Sequence, residues 1–199
     1  FRRVLFRSIH AMNKKPGKVF MAMGGNFLSA SPDTEFTAQG LKSCALTVSV
    51  ATKLNRSHLL CGEVGLILPC LVRSEKDVQK NEKQFVTVEN SMGVVQASHG
   101  HLEPVSNELK SEVRIVCELA RELFKEDPQK NKLIDWSTWA DDYRLIRESI
   151  TMTIPGFEDF NERIVKGAIT LPHPVRDHRK FPTPSGQAQF ATSSIMEEE

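Results

Sequence analysis

No run of apolar residues in this 199-residue chain approaches the ~20 that cross a bilayer as a helix, so no membrane span is expected. Charge of one sign is also lacking. The 26 Lys and Arg residues face 25 Asp and Glu, a net of +1, and a dedicated nucleic-acid binder needs a basic surface to neutralise phosphates. The four cysteines, Cys44, Cys61, Cys70 and Cys117, are scattered without a Cys-x-x-Cys pair. That spacing argues against a zinc ribbon or an iron–sulfur cluster held by this stretch alone. Their apolar surroundings, as in Leu68-Pro69-Cys70-Leu71, suit buried thiols in a reducing, cytoplasmic compartment. A P-loop, a Gly-x-Gly-x-x-Gly fingerprint, a nucleophile elbow and an internal repeat are all missing.

What is present is an ordinary globular composition, 40% hydrophobic and 26% charged, enough to build a core. The pattern predicts an α/β fold. Val19 to Met23, Ala45 to Ala51 and Val64 to Leu68 are short apolar runs bounded by turn residues, as in strands buried in a parallel sheet. A helix from Ser31-Pro32-Asp33 to about Ser43 joins the first two, and a short helical piece ending near Cys61 leads to the third. Arg73 to Lys83 reads as a surface loop, Gln84 to Val88 as a strand, and Glu89 to Gly100 as a polar loop. From Ser106, the spacing of Leu109, Val113, Val116, Ala120 and Leu123 predicts an amphipathic helix packed on the sheet and ended by Asp127-Pro128. Trp136 to Ile150 and Phe157 to Val165 predict further helices, with loop-like chain beyond Leu171. The expected organisation is therefore a Rossmann-like parallel sheet with flanking helices over residues 17–134, followed by a helical and loop-rich extension over 135–190. Residues 1–16, which show no organised pattern, and the acidic stretch 191–199 are expected to be disordered or foreign ends.

Two turns stand out chemically. Gly24-Gly25-Asn26 closes the first strand, and Thr52-Lys53-Leu54-Asn55-Arg56-Ser57 closes the second. Neighbouring parallel strands would bring both turns to one sheet edge, where open α/β sheets bind nucleotide-like ligands. Glycines let a ligand approach the backbone. Lys53 and Arg56 supply positive charge, and Thr52, Asn55 and Ser57 supply neutral donors, a set suited to a pyrophosphate. The same residues also fit solvated turns of a non-enzymatic nucleotide-binding or interaction module. His99, His101, His173 and His178 lack a third ligand at fixed spacing and read as loop histidines. Asp141-Asp142 reads as a pair serving the dipole at the start of a helix. Ser98 and Ser185 stand near histidines without the geometry of a nucleophile, so no catalytic residue is assigned.

In order along the chain, Gly17-Lys18-Val19, Gly24-Gly25-Asn26, Ser31-Pro32-Asp33, Ala51 to His58, Leu66-Ile67-Leu68-Pro69, Ser74-Glu75-Lys76-Asp77, Thr87 to Met92, Ile154 to Asn161 and Ser185-Gly186-Gln187-Ala188 form a series. This series resembles the molybdopterin oxidoreductases of the dimethyl-sulfoxide-reductase superfamily, especially formate-dehydrogenase-like alpha subunits, over about residues 17–190. It departs from the common superfamily pattern in lacking an Asp at the second turn and an Arg near Glu89. The resemblance implies an internal fragment of a molybdenum-dependent oxidoreductase acting on a small-molecule substrate. It also implies that this fragment grips one molybdopterin guanine dinucleotide. The binding positions carried over are Gly24, Gly25, Asn26, Thr52, Lys53, Asn55, Arg56 and Ser57. No metal ligand falls within this segment. The molybdenum ligand, any iron–sulfur cluster and the remaining domains would belong to other parts of the parent chain, and the fragment alone is expected to be inactive.

Overall fold

The computed structural model describes residues 2–127, 129 and 133–190. The chain divides into two compact units, one from residues 1–85 and 99–143, the other from residues 86–98 and 144–199.

The first unit is built on the expected parallel sheet. Strands β1 (Val19–Met23), β2 (Leu46–Ala51) and β3 (Val64–Pro69) lie in the order β1-β2-β3, all parallel. Their register puts Val19 beside Leu46 and Val64, and Met21 beside Val48 and Leu66. Between β1 and β2 run a single helical turn, α2 (Phe27–Ala30), and helix α3 (Thr34–Lys42). Between β2 and β3 is a 3-10 turn, Arg56–Leu59. The cap of α3 is Asp33, whose carboxylate accepts from the Phe36 amide at 2.8 Å. Ser31, predicted as that cap, instead ends α2, its hydroxyl donating to the Phe27 carbonyl at 2.8 Å. Asn26 caps α2 at the close of the glycine turn, so the chain makes one extra turn of helix before α3 begins.

Residues 1–16 differ from the expectation of an unorganised end. Helix α1 (Arg2–Lys14) lies against α3. Its Ile9 and Met12 are buried with Cys44, and Phe20, Phe27 and Phe36 pack around them. Asn13 ties the two helices by donating to the Phe36 carbonyl at 3.0 Å. Leu5, Ile9 and Met12 fall at i, i+4 and i+7, an amphipathic signal in a basic segment that the sequence reading passed over.

Arg73 to Lys83, read as a surface loop, contains a hairpin of β4 (Asp77–Gln79) and β5 (Glu82–Gln84). Its turn residues Lys80 and Asn81 both have positive φ, 47° and 67°, the conformation that follows strand twist in two-residue hairpins. The buried side chains here are polar, so hydrophobic patterning could not reveal them. Gln84 Oε1 accepts from the Tyr143 backbone amide at 3.1 Å, and Gln79 Oε1 from the Arg114 guanidinium at 2.6 Å. The amphipathic helix is α4 (Glu112–Leu123), starting six residues later than the expected Ser106 because Ser111 caps it through the Arg114 amide. It packs on α5 (Trp136–Asp141). Cys117 and Ala120 are buried, while Val116, Leu119 and Leu123 remain exposed. Pro128 lies outside the described residues.

The predicted helix from Trp136 to Ile150 breaks at Asp142 into α5 and α6 (Tyr143–Thr153). Asp141 is therefore at the end of a helix, where the dipole disfavours a carboxylate. It is held there by ion pairs with Lys80 (2.7 Å) and Arg114 (3.2 Å), and the Lys80 hydrogen bond leads in keeping its carboxyl below the usual range. The dipole role read for the Asp141-Asp142 pair is thus replaced by ion pairing at Asp141.

The second unit contains an antiparallel sheet of β6 (Val86–Glu89), β7 (Val94–Ser98) and β8 (Ile169–Thr170). Much of the expected polar loop from Glu89 to Gly100 is thus strand β7, reached through a tight turn. There the Asn90 side chain accepts from the Met92 and Val94 amides, and Gly93 takes φ 72°. Helix α7 (Phe160–Lys166) packs on β7 with Phe160 and Ile164 buried. A short helix, α8 (Pro174–His178), interrupts the chain beyond Leu171. The acidic stretch 191–199 lies outside the described residues. Among the described residues, no helix is long and apolar enough to cross a membrane.

Candidate functional site

The two turns singled out by the sequence meet at the carboxyl edge of the parallel sheet. Strand β1 hands over to Gly24 and Gly25, with φ of 65° and 70°. A β-carbon at either position would meet nothing within 4 Å, so this side of the turn is open. The Gly24 amide donates to the Val50 carbonyl at 2.8 Å, holding the turn against the end of β2. Positive φ at two successive residues strongly favours glycine. These are the conformational reasons for the pair.

The second turn is latched to the first by side chains. Asn55 donates through Nδ2 to the Gly25 carbonyl at 2.9 Å. The Ser57 hydroxyl donates to Asn26 Oδ1 at 2.7 Å and accepts from the Leu28 amide at 2.9 Å. Asn55 Oδ1 also accepts from the Ser57 amide at 2.9 Å, and the Asn55 amide donates to His58 Nδ1 at 3.0 Å. This is a capping box closed by a histidine in place of Glu or Gln. His58 is the residue that site reasoning passed over. The Asn-x-x-His spacing was its one sequence signal.

The eight residues thus fall into two groups. Asn26, Asn55 and Ser57 direct hydrogen bonds to the neighbouring turn. Thr52, Lys53 and Arg56 are exposed. Among the described residues, neither Lys53 nor Arg56 has a hydrogen-bonded or ion-paired side chain. Two unpaired cations beside an open diglycine turn make a surface able to attract a polyanion. Beneath the turns, Gly24, Gly25, Ser57 and His58 help to line a hollow of about 20 Å³, room for about one water.

The other candidates disperse. His99 packs against Phe85 at a tilt of 40°, ring centres 4.7 Å apart, and His173 caps α8 by accepting from the Arg176 amide at 3.1 Å. Ser185 accepts from the Gln187 amide. No group of three metal-binding side chains occurs among the described residues. A second polar centre, unmarked by the sequence, surrounds the one tyrosine. Tyr143, 2% exposed, bonds through its hydroxyl to Asp77 and Ser111, both at 2.6 Å. Burial first, then the Asp77 carboxylate, pushes its hydroxyl far above the usual range. Nearby, Lys110 and Arg114 outweigh the effect of burial and hold the Glu118 carboxyl below its usual range. A cleft of about 150 Å³ beside Arg114, Glu118 and Asp141 carries both signs of charge.

No family model matches the chain. Over 190 residues, 95% of its length, it is 47% identical to proteins of Mycobacterium tuberculosis and Mycobacterium bovis, each named an uncharacterized oxidoreductase. It is 42% identical over 193 residues to the protein YdeP of Escherichia coli. The matched stretch is 24% of the mycobacterial proteins and 25% of YdeP. The chain therefore spans about a quarter of the length of the curated relatives it matches, and it is similar to one part of larger oxidoreductases.

Proposed function

We propose that this chain is the segment of a larger, formate-dehydrogenase-like molybdenum oxidoreductase that binds the guanine dinucleotide end of its molybdopterin cofactor. The observation that carries the reading is the junction of the two turns at the sheet edge. The open diglycine turn and the unpaired Lys53 and Arg56 face outward from a latch made by Asn26, Asn55 and Ser57. The relatives named as oxidoreductases support it, as does the chain covering only a quarter of their length.

The residues present fit a pyrophosphate. Gly24 and Gly25 leave space for close backbone approach, Lys53 and Arg56 balance its charge, and Thr52 adds a neutral donor. Held there, the cofactor would supply electron- or oxygen-transfer chemistry to the longer protein. This segment binds and orients, and the chemistry belongs to groups elsewhere in the longer protein. Its substrate is proposed to be a small molecule selected by those other parts.

Elemental and nucleotide analysis of the purified longer protein tests the reading. Molybdenum and acid-released guanine nucleotide are expected together. In the Lys53→Ala, Arg56→Ala double variant, affinity for the nucleotide falls by about tenfold, since two exposed charge-assisted contacts at up to about 1 kcal/mol each together contribute about 1.4 kcal/mol. A metallated preparation lacking both molybdenum and guanine nucleotide refutes the assignment. Guanine nucleotide without molybdenum would leave a nucleotide-binding module in its place.

A further inference from the structure

The parallel sheet carries most of its exposed apolar side chains on one face, although Ile67 on the opposite face is also partly exposed. Phe20 of β1 points to the covered side, packing against the Ile9, Met12 and Cys44 cluster. On the other face, Val19, Met21 and Met23 of β1 lie in register across β2 with Val64, Leu66 and Leu68 of β3. The β2 positions between them are Leu46, Val48 and Val50, so the grid carries no polar side chain. Val19 is 67% exposed, Val64 59%, Leu66 45%, Met23 43% and Met21 38%, while Val50 at the carboxyl end of β2 is already buried, so the open part of the grid is its two outer strands. All-parallel sheets occur almost only with both faces covered, because their strands are apolar on both sides. A contiguous apolar patch on a soluble surface marks a place where something packs.

We infer that this face is the seat of an amphipathic helical layer supplied by the rest of the longer polypeptide, packed intramolecularly. Three observations choose that occupant. The relatives are about four times the length of the matched stretch, so ample chain exists to cover it. The face is one three-by-three grid, small beside the ~20–30 residues a side that a stable two-protein interface uses, whereas a segment of the same polypeptide is held at high effective concentration. The grid is also uniformly apolar, which suits the apolar stripe of a helix and offers no charge to specify a separate protein. The inference is independent of the cofactor reading, since it uses only the sheet and the relatives' length.

Met21 and Met23 are native reporters, because a covered thioether resists peroxide. In the purified, monomeric longer protein, both are expected to oxidise at least about tenfold more slowly when folded than in urea. Their present exposures alone would slow them only about two- to threefold. A Val64→Cys variant made on a Cys61→Ser background and carrying a benzophenone label is expected to cross-link, within one polypeptide, to peptides beyond these 199 residues. Unprotected methionines overturn the inference. So do protection that appears only as protein concentration rises, a cross-link between two copies, a cross-link confined to these 199 residues, or a coding sequence that ends with them.

Discussion

Replacing Ser57 by alanine removes the hydroxyl that joins the two turns while leaving the backbone of the 3-10 turn intact. Two hydrogen bonds go with it, one accepted from the Leu28 amide at 2.9 Å and one donated to Asn26 at 2.7 Å. Leu28 N–H is one of the first amides of α2 and has no partner within the helix. Its loss of Ser57 therefore leaves a part-buried donor to be met by water. At about 1 kcal/mol for each bond in a half-exposed setting, local opening becomes easier by about 2 kcal/mol. That is roughly 30-fold faster exchange of the Leu28 amide, at tenfold per 1.4 kcal/mol. Hydrogen exchange read by NMR measures it directly, with the Arg114 amide, capped by Ser111 in α4, as an internal control expected to stay unchanged. Asn55→Ala should produce a comparable effect, because it loses the bond to the Gly25 carbonyl and the cap on Ser57. The double variant should fall short of the sum by at least about 0.5 kcal/mol, since both substitutions open one junction. Unchanged exchange at Leu28 in Ser57→Ala, or full additivity in the pair, refutes the latch.

Three further outcomes follow from single positions. A β-carbon at Gly100 would stand 1.7 Å from the Glu75 carbonyl oxygen, so Gly100→Ala should cost more than about 3 kcal/mol in urea unfolding; a loss under 1 kcal/mol, on the same scale, would contradict the close approach. The chain has one tyrosine, and the pKa of Tyr143 is raised first by burial and then by Asp77. Its stabilising effect is present below the unfolded value of 10.0 and is lost as pH rises beyond it. Tyrosinate absorbance should accordingly appear only with alkaline unfolding, and a reversible rise near pH 10 in folded protein would refute the burial. Asp177, bonded to Arg176 at 2.7 Å, is lowered to about 2 from 3.8, led by that hydrogen bond. Its contribution is therefore present above 3.8 and is lost as pH falls through about 2. Carboxyl NMR should show a midpoint near 2, and Arg176→Gln should move it back up.

The three parallel strands were legible because their signal is short-range: continuous apolar residues ended by glycine, proline or polar turns. The meeting of Gly24–Asn26 with Thr52–Ser57 was legible for a related reason, since parallel neighbours end at one edge. What escaped the sequence depends on contacts between distant residues. Gln79 and Gln84 are buried because Arg114 and Tyr143 satisfy them, and no polar residue announces its partner in advance. Val116 and Leu123 share a stripe with Ala120 by spacing, yet only Ala120 is buried, because the contact of α4 with α5 covers one side of that stripe. Ser31 makes an acceptable cap locally and lost to Asp33 because Asn26 had already started a turn of helix.

The latch changes what the site residues can be asked to do. By residue type alone, Asn26, Asn55, Ser57 and Thr52 are equivalent donors, and the sequence assigns all of them to a ligand. In the folded chain Ser57 gives its proton to Asn26 and Asn55 gives one amide proton to Gly25. Their first role is to hold two turns at a fixed separation. Lys53 and Arg56 lie three residues apart on the second turn, exposed and without an acidic partner among the described residues. Both are positive, so a bound anion would meet charge that no acidic side chain among the described residues already balances. Preorganisation by neutral hydrogen bonds and attraction by unpaired cations are thus divided between different side chains. Disturbing the first group would alter both the local opening of the turn and its affinity for an anion. Disturbing the second would alter affinity and its dependence on salt, leaving the turn in place.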